Sequence, residues 1–172
     1  MTEQPALSKT QLLEALRSSE RQLLDKLSGL SADAFERERY ENGWNGREIL
    51  AHVASLEWTY PRLLDIPEQG TPPKATESRP ESISPPTRTA RGGIGSYNQR
   101  QVEKRAGASV ADLLAEFQKN RAATIAAVEQ ADEALLATPI KSAGGITGPL
   151  ATVIYLIAVM HVQGHVNDIV AT

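Results

Sequence analysis

The chain of 172 residues contains no cysteine. That absence excludes a disulfide framework, a thiolate metal site and a cysteine nucleophile, so any thiol chemistry must arrive with a second substrate. Charge of one sign is also lacking: 18 Lys and Arg against 21 Asp and Glu leave a formal charge of -3 and a pI near 5.7. Such a balance gives no general attraction to nucleic acid or to an anionic membrane. The opening MTEQPALSKTQ lacks the basic start, apolar stretch and small-residue cleavage site of a secretory signal. The longest apolar run, LATVIYLIAVM at 150–160, is about half of the ~20 residues that a spanning helix needs. Strand signals are weak, no hairpin dipeptide separates alternating apolar runs, and no internal repeat is visible. Together these absences predict a single cytoplasmic, all-α domain, large enough to bury a core without staples, with neither a nucleic-acid nor a membrane partner.

What is present is helical periodicity with start signals. Ser8 with Gln11 has capping-box spacing, and Leu12, Leu16, Leu23, Leu27 and Leu30 follow at helical intervals until Gly29 and Ser31 interrupt. SADAFERE adds a short turn of helix, and ENGWNG is a loop in which Asn45 caps a second helix with Glu48 three residues behind it. That helix is expected over 46–66, with Pro61 kinking it or ending it early. Residues 67–108 hold six of the ten prolines and the stretch GGIG, with one short helix at YNQRQVEKR. So long a connection is usually functional or disordered, which counts against a simple hairpin bundle. Ser109 with Asp112 starts a third helix carrying Leu113, Phe117, Thr124 and Val128, which ends near Ala131. Thr147 is the expected cap of a fourth, with Pro149 in its first turn, running to the end of the chain.

All three histidines fall in these helices. His161 and His165 are spaced i, i+4, so both rings lie on one face and can address one ion. Two ordinary histidines, one packed and one solvated, satisfy the same spacing. The triplet VQG between them lacks the glutamate of a zinc protease helix and rules that mechanism out. His52 lies in ILAHVASLEW beside Ile49, Val53 and Leu56, a costly place for an unpartnered imidazole. If it meets the other two, one site accounts for every histidine.

A tryptophan shortly before a helix that carries ILAH, then a long segment, then HxxxH near the C-terminus is the pattern formed here by Trp44, the ILAH at 49–52, and His161 with His165. In this the chain resembles the DinB/YfiT-like metalloenzyme superfamily, and the order and lengths of its four helices extend the resemblance over nearly the whole chain. The resemblance implies a four-helix bundle holding a divalent metal on His52, His161 and His165. It also implies chemistry of the kind found among thiol S-transferases using mycothiol, bacillithiol or glutathione, and among maleylpyruvate isomerases.

Convergence of the three rings would fix the topology. His52 lies about 10 Å into its helix and His161 and His165 roughly 20 to 27 Å into theirs, so the second helix must start where the fourth ends. Helices two and three then run parallel, and residues 67–108 become the crossover of an up-down-down-up bundle. Its later part, RGGIGSYNQR, would arrive at the metal end, making Tyr97, Asn98 and Arg100 substrate-side candidates, or else a solvated loop end. GGIG lacks the lysine and hydroxyl residue of a phosphate loop and supplies flexibility instead.

Three neutral imidazoles leave an ion its charge and an open position. Zinc is the first choice, with nickel, iron and manganese accepting the same ligands. Glu48 and Asp168, four residues before His52 and three after His165, are candidate proton carriers, although Glu48 also fits the cap on Asn45 and Asp168 also fits solvent. Gly164 is expected to permit close helix packing. Trp44 and Trp58 suit either an apolar pocket wall or the core, and the arginines at 79, 88, 91, 100 and 105 suit either an anionic substrate or plain surface. The leading reading is a metal-dependent thiol S-transferase, or a hydrolase or isomerase of small molecules, in an ordinary homodimer. The alternatives are a non-catalytic stress-related or ligand-binding bundle whose metal is structural, and histidines that never converge.

Overall fold

A computed structural model describes residues 7–40, 43–68 and 95–171 of the chain. Helix α1 (Lys9–Ser28) opens with the reciprocal Ser8–Gln11 capping box and buries Leu12, Leu16, Leu23 and Leu27. The short α2 (Ala32–Glu36) buries Ala34 and Phe35. Helix α3 (Gly46–Glu57) starts at the Asn45–Glu48 capping box. It ends nine residues earlier than the sequence suggests: a 3₁₀ turn at Tyr60–Leu64 follows, with Pro61 in its first turn, and then α4 (Asp65–Glu68). Proline has no N–H to give to an α-helical ladder but is harmless at the start of a new turn, so the chain restarts there.

Helix α5 (Ser96–Lys104) falls on the expected YNQRQVEKR stretch. Most of the proposed crossover, residues 69–94, lies outside the described residues. Helix α6 (Val110–Gln130) begins at the Ser109–Asp112 capping box and ends at Ala131, and α7 (Glu133–Ala137) follows. The segment TPIKSAGGITG, between the expected third and fourth helices, forms an antiparallel hairpin of β1 (Pro139–Lys141) and β2 (Thr147–Pro149). Its turn uses Gly145 at φ 85°, a conformation open to glycine. Thr147 therefore belongs to β2, and Pro149 takes the N-cap position of the last helix. With only three residues per strand, the hairpin is too short to show an alternating pattern in sequence.

The final rod, Leu150–Val170, comprises α8 (Leu150–Ile154), a π-helical segment at Tyr155–Met160 and α9 (His161–Val170). With a mean hydropathy of 1.3 it is long and apolar enough to cross a membrane by length and composition, a test that core helices of soluble proteins also pass. Leu150, Val153, Ile154, Ala158, Val162, Val166 and Ile169 are all buried in the fold.

Hydrogen bonds give the helix directions. Lys9 Nζ reaches the Ala131 carbonyl while Arg121 reaches that of Leu16, so α1 and α6 are antiparallel. Arg47 donates to the Ala106 carbonyl and Arg121 pairs with Glu57, so α3 and α6 are parallel. Gln163 and Lys26 bond Gln22 and Asn167, so α1 and α9 run the same way. At the opposite corner, the α3 start meets the α9 end at Gly46. A Cβ there would lie 3.1 Å from the Phe35 Cα and 3.3 Å from the Ile169 Cγ2. The described molecule is thus mostly helical, with its apolar core in two parts. One, around Trp44, Leu50, Phe117 and Val166, lies toward the histidines. The other, around Leu16, Val128, Leu136 and Leu150, lies away from them.

Candidate metal centre

Because α3 starts where α9 ends, the three histidines converge. Each offers one possible ligand atom, and these atoms lie within 4.8 Å of one another. His161 Nε2 and His165 Nε2 are 2.8 Å apart, and the His52 ring centroid is 6.0 Å and 5.0 Å from those of His161 and His165. His52 and His165 are each only 4% exposed, whereas His161 is half-buried. The alternative of histidines that never converge is excluded.

The surroundings of His52 and His161 favour the neutral ring. Burial, and then the neighbouring His165 and His161, push the His52 pKa down to about 3. Burial also lowers His161. His52 Nδ1 is buried without a hydrogen-bond partner, a rare and costly state in a folded protein. Its ring lies 4.9 Å from that of Trp44, which is 1% exposed.

His165 is oriented from behind. The Tyr40 hydroxyl donates to Asp168 Oδ2 at 2.7 Å and lies 3.1 Å from His165 Nδ1. Since the phenol has one proton and spends it on Asp168, the His165 Nδ1–H must be the donor of the second bond. That tautomer makes His165 Nε2 the acceptor of its 2.8 Å contact with His161 Nε2. Three imidazoles gathered into one small volume, one possible ligand atom of each within 4.8 Å of the others, together with a buried orphaned nitrogen on His52, form a donor set that fits a divalent ion.

The other candidates separate. Asp168 lies behind His165 and reaches it through Tyr40. Glu48 Oε2 accepts from the Asn45 backbone N–H at 2.9 Å, completing the helix cap. Tyr97 is 46% exposed, Arg100 is exposed and Asn98 half-buried. Between them Gln99 Oε1 accepts from Trp44 Nε1 at 3.1 Å, which ties α5 to the aromatic wall of the site. Trp58, by contrast, is half exposed with Arg62 stacked 3.6 Å over its ring. Arg105 is engaged with Glu116, and Arg79, Arg88 and Arg91 lie outside the described residues. Gly164 does not serve close packing: a Cβ there would meet nothing within 4 Å.

Three contributors are absent from the sequence reading. Tyr40 and Gln99 give no local signal, because both act across the fold. Arg121 does give one. It shares the buried stripe of Phe117, Thr124 and Val128, and a charged residue on that stripe predicts a buried partner. The partner is Glu57, bound through both carboxylate oxygens at 2.6 and 3.0 Å, with both side chains fully buried.

Residues 15–169 match the family model of the DinB superfamily, and the chain belongs to that superfamily. Among solved structures, the crystal structure of the mycothiol-dependent maleylpyruvate isomerase has a TM-score of 0.68 at 19% identity, covering 98% of this chain and 63% of that one. A histidine-to-alanine mutant of mycothiol-dependent maleylpyruvate isomerase gives 0.70 at 18% identity, over 100% of this chain and 65% of that one. The chain therefore spans less than two thirds of the length of either, and the likeness is one of fold. No curated protein matches the sequence.

Proposed function

We propose that the protein is a metal-dependent enzyme, a four-helix bundle of up-down-down-up order that holds one divalent ion on His52, His161 and His165 and uses a low-molecular-weight thiol as co-substrate. The observation that carries this reading is the convergence of three imidazoles, one possible ligand atom of each within 4.8 Å of the others, in a buried setting that leaves a His52 nitrogen unpartnered. The bundle order is supported by the helix directions and by the fold likeness to a mycothiol-dependent isomerase. Zinc suits the donors best, and nickel, iron or manganese would also be held. When bound, such an ion would make a water or a thiol nucleophilic near neutral pH.

The chain's own residues supply the rest. Tyr40 and Asp168 hold His165 in the tautomer that makes Nε2 an acceptor, so Asp168 is a positioning residue in this reading. Trp44 presses on His52, keeps water from it and is itself held by Gln99. Glu48 serves the cap. Tyr97, Asn98 and Arg100, on the helix that Gln99 ties to the site, remain the substrate-side residues, with Arg100 suited to an anionic electrophile. The thiol assignment is supported by the fold likeness to a mycothiol-dependent isomerase, and a cysteine-free chain would have to take any sulfur nucleophile from such a co-substrate.

Metal analysis of untagged protein, wild type and His165→Ala, tests the first step. One divalent ion per chain in the wild type and none in the variant is expected, and a metal-replete wild type without stoichiometric ion removes the reading. A panel of mycothiol, bacillithiol and glutathione against small electrophiles, maleylpyruvate among them, then tests the reaction. A purely structural ion would instead show no thiol-dependent turnover and a steep loss of stability on chelation.

A further inference from the structure

The π-helical segment Tyr155–Met160 stands directly before the first histidine of the pair, and the backbone N–H of His161 closes its i to i-5 bond on the Leu156 carbonyl. A π turn takes up one residue more than an α turn, so every side chain after it is turned by about 100° relative to a plain helix. The direction of His161 and His165 thus depends on this turn persisting. Isolated π turns are less stable than α-helix, and something outside the helix must hold this one.

Two groups from other elements do so. The Tyr60 hydroxyl donates to the Ile157 carbonyl at 3.1 Å, and Arg121 Nη2 donates to the next carbonyl, Ala158, at 2.6 Å. Arg121 is fixed in turn. Its Nε and Nη2 bond Glu57, and its Nη1 bonds the Leu16 carbonyl at 2.9 Å and Ser19 Oγ at 2.7 Å. All five N–H groups of the guanidinium therefore have acceptors. One side chain joins α1, α3, α6 and the last helix at the level of the π turn.

We propose that Arg121, held by Glu57, and Tyr60 are positioning residues for the metal centre: they brace the π turn at Ile157 and Ala158 and so aim His161 and His165 at His52. The histidine directions are observed, and their use in holding an ion rests on the reading above. Lysine at 121 would keep the charge for Glu57 but has three donors on a rotating head, too few and too flexible to hold all of these acceptors.

The test uses Tyr60→Phe, which removes a single O–H and leaves the ring, and Arg121→Lys. Two readouts are taken on each: the ring ¹⁵N resonances of the histidines in metal-free protein, and Co²⁺ affinity with its visible spectrum. Expected are shifted His161 and His165 resonances, a tenfold or greater loss of Co²⁺ affinity for Arg121→Lys and about threefold for Tyr60→Phe, with an altered cobalt spectrum in both. A folded variant that binds Co²⁺ as wild type does overturns the proposal. If Arg121→Lys does not fold, Tyr60→Phe decides by the same criteria. If the wild type itself binds no Co²⁺, the metal reading has failed, and the ring resonances decide alone: unchanged His161 and His165 signals in a folded variant refute the brace.

Discussion

His52 carries a nitrogen with no partner inside the core, and its cost has a pH signature. Its folded-state pKa of about 3 lies below the ordinary 6.5, so between those values the unfolded chain binds a proton that the folded one refuses. The neutral ring's contribution is fully present above about pH 6.5 and is lost as pH falls toward 3. Urea unfolding of chelated protein should therefore weaken from pH 7.5 to pH 5 more steeply in wild type than in His52→Asn; equal slopes would contradict the burial argument. Behind the neighbouring ring, Tyr40→Phe removes the acceptor for His165 Nδ1 and the donor to Asp168. Groups that orient a metal-bound histidine are typically worth about 10- to 100-fold in affinity, and a Zn²⁺ titration of the variant should show that loss. Gly164→Ala should do the opposite for the fold. Its Cβ enters open space, and replacing a mid-helix glycine gains roughly 0.5–1 kcal/mol, measurable as a higher melting temperature with unchanged metal affinity.

The helices differ in how far their own sequence explains them. Helices α1, α3 and α6 each begin at a reciprocal capping box that is visible as a spacing of three residues, because the groups concerned are local and the bonds short-range. Asn45→Ala removes such a cap and should lower stability by about 1 kcal/mol. It also frees Glu48, and a metal affinity that stays the same would agree with Glu48 serving the cap alone. At the next residue, Gly46→Ala should cost about 1–3 kcal/mol in thermal unfolding, since its Cβ would press on the Phe35 backbone. The π segment is different in kind. YLIAVM is an ordinary apolar helix stretch by composition, and its carbonyls find Tyr60 and Arg121 only after α3 and α6 have packed. The hairpin at β1 and β2 was invisible for a related reason: three residues per strand carry no period.

At the scale of the whole molecule, the centre joins the first helix after the loop to the last helix in the chain, so an ion there would clamp α3 to α9. Zinc at a hundred times its Kd should add about 2.7 kcal/mol to wild-type stability by mass action and nothing to His165→Ala, a difference that thermal melts with and without chelator will show. The sequence by itself determined the capped starts of α1, α3 and α6 and the identity of the three imidazoles, because periodicity, caps and a histidine on an apolar stripe are all written within a few residues of one another. Arg121, absent from the sequence reading, carries a local signal of the same kind, a charge on the buried stripe of Phe117, Thr124 and Val128, though nothing local names its partner. Only the tertiary structure decided that Tyr40 and Asp168 stand behind His165, that Gln99 holds Trp44, and that Arg121 spans four elements. Each of those is a bond between residues 37 or more apart in sequence, and nothing in the local pattern ranks one distant acceptor above another until packing brings it within hydrogen-bond range.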